Sequence, residues 1–133
     1  MKKDNWIILD AKEKILGRLA SRIAFLLMGK DRTDYCSNKV VGNQIIVINS
    51  KSIKVTGKKF LNKFYYKHSE YPSGMKTINF QQLLFKNSNL IIRNAVKGML
   101  PKNKLQKIFL KRLKIYEYDI HPHLAQKPFL LEL

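Results

Sequence analysis

Carboxylates are the first shortage. The chain of 133 residues has 9 Asp and Glu against 26 Lys and Arg, a formal charge of +17 and an isoelectric point near 10.1. So little internal compensation makes a compact chain repel itself, which predicts a polyanionic partner. Cysteine is down to one, Cys36. A lone thiol closes no internal disulfide, which excludes a disulfide scaffold and suits a reducing compartment. With no base placed for it, Cys36 is expected as a small half-buried side chain, not a nucleophile. Long apolar runs are also missing. Nothing approaches the ~18 residues of a membrane span, and Trp6-Ile7-Ile8-Leu9 is too short for a signal-peptide core, so the expected place is the cytoplasm and no membrane is an expected partner. Glycine is scarce, at 6, and no internal repeat, low-complexity tract or linker interrupts the chain.

What is present can fold. A hydrophobic share of 45% over this length supports one core, and a single domain across 1–133 is expected. The charge is uneven. Residues 60–114 hold 12 basic side chains and one acidic, whereas residues 115–133 hold one basic and three acidic. The stretch "AVKGMLPKNKLQKIFLKRLKIY", residues 95–116, carries seven Lys and Arg and no carboxylate. The partner surface is therefore expected on the middle and late chain. Lysines outnumber arginines 21 to 5, a bias that A+T-rich coding can also produce, so the lysine count by itself does not establish a function.

Periodicity supplies the elements. "WIILD" (6–10) and "QIIVINS" (44–50) are continuous apolar runs of buried-strand type. Between them Leu16, Leu19, Ala20, Ile23 and Leu27 recur at helical spacing, with Lys14, Arg18 and Arg22 on another side and Gly29 as the stop. Strand, helix, strand predicts a βαβ unit in a mostly parallel sheet. "SIKVTGKK" (52–59) alternates as a further strand into a glycine turn. Residues 58–76 have no sustained period and predict an irregular excursion. Two helices follow, capped by Thr77 and Ser88, the second ended by Pro101. In the next helix Lys104, Lys107, Lys111 and Lys114 share one sector opposite Leu105, Ile108, Phe109 and Leu113, and Arg112 marks its end. "KIYEY" (114–118) predicts a last strand, and residues 121–133 an extended tail.

Candidates for chemistry are few. Asp10 and Glu13 form a possible carboxylate pair for a small metal-dependent nucleic-acid-processing enzyme, but Asp10 at a strand end suits a turn better. His121 and His123 are two apart without a third ligand type beside them, so no metal or other cofactor is expected. "VTGKK" lacks the earlier glycine and the Ser or Thr of a phosphate-binding loop, which removes nucleotide hydrolysis; what remains is a turn offering Lys58 and Lys59 to phosphates, or a solvated hairpin turn. From Lys63 to Tyr71 the rings of Phe64, Tyr65, Tyr66 and Tyr71 interleave with Lys63, Lys67 and His68. That composition stacks on unpaired bases and grips phosphates, while Phe64 and Tyr65 are more readily core rings covered by lysine stems. The lysine face of the 104–114 helix repels itself unless an anionic surface lies against it.

Seven stretches together resemble the universal L-thirteen family of large-subunit ribosomal proteins in its bacterial form. They are Trp6 with "LDA" (9–11), "LGRLASRIA" (16–24), "VINSKSIKVTGKK" (47–59), "YYKHSEYPSG" (65–74), "AVKGMLPKNKL" (95–105), "LKIY" (113–116) and "HPHLAQKP" (121–128), in order over about residues 6–128. The resemblance implies a three-layer α/β/α fold around a small, mainly parallel sheet, with irregular basic excursions. It implies no catalysis and no small-molecule substrate. The implied role is structural: binding large-subunit rRNA early in subunit assembly, beside neighbouring ribosomal proteins, in the ribosome of a bacterial cytoplasm or, as the alternative, of an organelle. Arg18, Lys58, Lys59, His68, Lys97, Lys102 and Lys104 match the family's RNA-facing pattern, and the residues themselves add Arg22, Lys63, Lys67, Lys107 and Lys111. Departures are local: Asn43 follows Gly42 where the family has Asp, and glycines are usual near Glu70, Ser73 and Gln106. The segment 34–43 is the least typical.

Overall fold

The structure, a computed structural model, describes residues 5–133. Its centre is a parallel βαβ unit. Strand β1 (Trp6–Asp10) leads through helix α1 (Leu16–Met28) to strand β2 (Gln44–Ile48), and the two strands pair in parallel with Ile7 beside Ile45 and Leu9 beside Val47. Two short strands extend this pair, β5 (Leu113–Ile115) outside β2 and β6 (Phe129–Leu130) outside β1, both parallel. The α/β fold on a mainly parallel sheet is therefore present. Strand β6 lies inside the stretch expected as a plain extended tail. With two residues, both exposed, it leaves no alternation to detect.

One face of the sheet carries the main core. Ile7, Leu9, Ile45, Val47 and Leu113 pack against Leu19, Ile23 and Leu27 of α1 and against Phe80, Ile91, Ile92 and Val96. On the opposite face Ile46 is fully buried, and the ring of His123 lies 5.2 Å from Trp6, 5.8 Å from Tyr116 and 6.3 Å from His121, centroid to centroid. Helix α1 stops at Gly29, which is left-handed at φ 77°. Beside it the chain enters β2 through Gly42, where a Cβ would stand 1.7 Å from the Leu27 carbonyl oxygen.

The segment 52–59 forms no strand. Lys54 makes a single parallel bridge to Ile15, and pairing ends there because Ile15 already leads into α1. The excursion 58–76 is more ordered than its sequence predicts. Helix α2 (Lys59–Asn62) is followed by an antiparallel hairpin of strands β3 (Phe64–His68) and β4 (Met75–Asn79). Strand alternation reports burial of one face, and most of this hairpin is exposed, so the period-2 signal is absent. Glu70 and Ser73 at its tip are left-handed, at φ 65° and 58°, a conformation that glycine adopts more readily.

Helix α3 (Phe80–Met99) is two helices that meet at a kink, interrupted at Asn87 with φ −160° and ψ 86°. The caps lie beside the expected residues. Asn79, not Thr77, forms a capping box with Gln82, and Asn87, not Ser88, accepts the Leu90 N–H at 3.2 Å. Ser88 instead points inward to the Ser50 hydroxyl, 2.7 Å away, which in turn donates to Asn89 at 2.6 Å. Buried hydroxyls without partners are costly, so this chain of bonds pins the break to the turn after β2. Pro101 ends the helix as predicted. Helix α4 (Gln106–Lys111) is shorter than predicted: Lys104 precedes it and Lys114 lies in β5. Arg112 caps it and donates to the Gly42 carbonyl at 2.6 Å.

Candidate nucleic-acid interface

All twelve candidate residues are exposed, and among the described residues none of them forms an ion pair. The elements sort them into three groups. Arg18 and Arg22 stand on α1, lining a groove with Lys14, Glu13 and Glu132. Arg22 also lies over the Phe25 ring, at 5.6 Å. Lys58, Lys59, Lys63, Lys67 and His68 follow one another through the Gly57 turn, α2 and β3. Phe60 holds this second group to the core, meeting the fully buried Phe80 edge-on at 5.9 Å. Lys97, Lys102, Lys104, Lys107 and Lys111 run from the last turn of α3 to the end of α4.

The turn in the third group has its own staple. The Gln106 side-chain amide donates to the carbonyls of Lys97 at 3.0 Å and Leu100 at 3.4 Å, while Asn103 N–H reaches Pro101 O. Lys97, Lys102 and Lys104 are thereby held around one bend. Lys111 belongs elsewhere: it lines a groove at the free edge of β5 with Arg93 and Lys114, and Lys114 donates to the Lys111 carbonyl at 2.7 Å. The single helical sector expected for Lys104, Lys107, Lys111 and Lys114 therefore divides between a bend, a helix and a sheet edge.

Lys76, Arg93 and Lys114 join the candidates on structural grounds. Lys76 stands directly across the hairpin from Lys67, a pairing that no spacing along the chain reveals. Between Glu70 and Glu117 the sequence has no carboxylate, so β4, α3, α4 and β5 form a surface without an internal counter-charge. Lys51 shows the opposite condition. Its ammonium is 2.8 Å from Glu117 and donates to the Tyr118 hydroxyl, and these bonds, Glu117 first, push its pKa up to about 12. The fold already satisfies this lysine.

The groups weighed for catalysis are spent on structure. Asp10 Oδ1 accepts from the Lys12 N–H at 2.8 Å and from Asn49 Nδ2 at 3.0 Å, which makes it a turn former. His123 Nε2 is 2.7 Å from the Tyr116 hydroxyl, and His121 Nδ1 accepts the His123 N–H. His68 Nδ1 accepts the Glu70 N–H at 2.9 Å, so in the neutral ring Nε2 carries the proton and faces outward as a donor. Cys36 is exposed, not half-buried as expected, within the 34–43 segment of turns. Among the described residues no three His, Cys, Asp or Glu are grouped to hold a metal ion, and no helix is long and apolar enough to cross a membrane.

A basic surface on an α/β core, its candidate cations without an ion pair among the described residues, agrees with what similarity to known proteins gives. The family model of ribosomal protein L13 matches residues 4–122. The chain belongs to the ribosomal protein L13 family. It is 49% identical to the large ribosomal subunit protein uL13 of Wigglesworthia glossinidia brevipalpis, over 95% of this chain and 89% of that one. It is 48% identical to the uL13 protein of Pelobacter propionicus, over 98% and 92%, and 47% identical to that of Legionella pneumophila, over 98% and 91%. This L13 family is one of ribosomal components, not of enzymes.

Proposed function

We propose that this chain, acting as one domain, is a structural constituent of the large ribosomal subunit that binds large-subunit rRNA and supports early assembly. The observation that carries this is the set of twelve exposed, ion-pair-free candidates on three groups of elements, in a member of a ribosomal family. RNA phosphates supply the negative charge that the segment from Glu70 to Glu117 lacks. Neighbouring large-subunit proteins complete its surroundings, and its place is the cytoplasmic ribosome. The test is binding of the purified chain to large-subunit rRNA fragments and to a length-matched unrelated RNA across a salt series. Tight binding to one fragment that outlasts binding to the control is expected; equal loss from both would reduce the chain to a generic polycation. For the assembly role, omission of the chain from an ordered reconstitution should stall subunits at an early precursor.

A further inference from the structure

The hairpin of β3 and β4 divides its side chains by kind. Phe64, Tyr66 and His68 alternate onto one face, paired across the strands with Asn79, Thr77 and Met75. The other face carries Tyr65 opposite Ile78, both packed against the core, and then Lys67 opposite Lys76. On the first face Phe64 is 49% exposed, Tyr66 67% and Met75 57%. Large apolar side chains left together in water mark a binding surface, and like charges directly opposite destabilise a strand pair. A two-stranded hairpin is marginal by itself, so both features need a partner to account for them.

We propose that this face stacks on unpaired bases of the bound RNA while Lys67 and Lys76 hold the backbone of the same single-stranded segment; the inference rests on the rRNA-binding role above. Charge decides between RNA and a protein partner. The ionised strand residues of the hairpin are cations on the face opposite the rings, flanked by Lys58, Lys59 and Lys63, so an apolar protein surface docked on the ring face would leave the Lys67–Lys76 repulsion in place. Phosphates neutralise both. Geometry decides between paired and unpaired RNA. A-form duplex keeps its bases stacked inside, whereas a splayed base offers its flat face to a ring. Phe64 and Tyr66, two residues apart on one strand face, are set about 6.6 Å from each other along the strand, room for rings that engage separate bases.

The test uses the full chain and large-subunit rRNA, with a 12-nucleotide oligouridylate and an RNA duplex as probes. Tyr66→Ala should weaken binding to rRNA and to oligouridylate by about 5- to 150-fold at fixed salt, with an unchanged salt slope and unchanged thermal stability. Tyr66→Phe should bind as the parent does, and neither change should alter duplex binding. Chemical probing should show unpaired rRNA bases shielded by the parent and by Tyr66→Phe but reactive with Tyr66→Ala. Unchanged rRNA affinity and shielding with Tyr66→Ala would overturn the proposal. So would normal RNA binding by that variant combined with its loss from assembled subunits, which would assign the face to a neighbouring protein. Failure of the parent chain to prefer large-subunit rRNA would instead sink the broader role.

Discussion

Gly42 shows how much one absent Cβ decides. The chain leading into β2 crosses the end of α1 so closely that any side chain at Gly42 would meet the Leu27 carbonyl. Gly42→Ala should therefore destabilise the protein by about 3 kcal/mol or more, because backbone must move on both sides. Gly17 in α1 has nothing within 4 Å of its would-be Cβ, so Gly17→Ala should stabilise by up to about 1 kcal/mol through helix propensity. Chemical denaturation of the two variants checks both signs. His123 provides a pH-dependent counterpart. Burial, then His121 and Lys114, lower its pKa below the ordinary 6.5, so the fold favours the neutral ring bonded to Tyr116. Its contribution is present above 6.5 and is lost as pH falls through the folded value, since the unfolded chain takes up the proton first. Melting at about pH 7.5 and about pH 5 should show a smaller acid destabilisation in His123→Gln than in the parent; equal destabilisation would contradict the assignment.

At the scale of elements, legibility follows burial. Strands β1 and β2 and helix α1 stand out in the sequence because each buries a continuous run or stripe. The hairpin and β6 do not, because their side chains are mostly exposed and hydrophobic period is a record of burial. Helix ends are legible to within a residue or two. Asn79 and Asn87 cap where the sequence points to Thr77 and Ser88, because Thr77 is still within strand β4 and Ser88 is drawn into the core. The hairpin also allows stability and binding to be separated. Lys76→Glu puts an opposite charge across from Lys67, so the free protein should gain about 0.2–1 kcal/mol while rRNA affinity falls. Thermal melts and a binding titration of the same variant check the two directions. A parallel rise or a parallel fall would remove the hairpin lysines from the interface.

For the whole molecule, charge is legible in the sequence and its placement is not. The excess of cations over carboxylates predicts a polyanion, and the motifs shared with the family predict RNA. Spacing puts Lys104, Lys107, Lys111 and Lys114 on one helical sector, yet the chain leaves the helix after Lys111 because Arg112 turns back to Gly42. Arg93 and Lys76 escape a reading along the chain because their neighbours come from other elements. The central claim is that several phosphates are neutralised at once across these groups. It is tested most directly by the salt dependence of rRNA affinity for the parent chain and for the triple variant Lys104→Gln, Lys107→Gln, Lys111→Gln. The slope of log affinity against log salt should flatten by about 0.7 to 0.9 for each phosphate that the variant no longer neutralises. An unchanged slope in the triple variant would contradict the account.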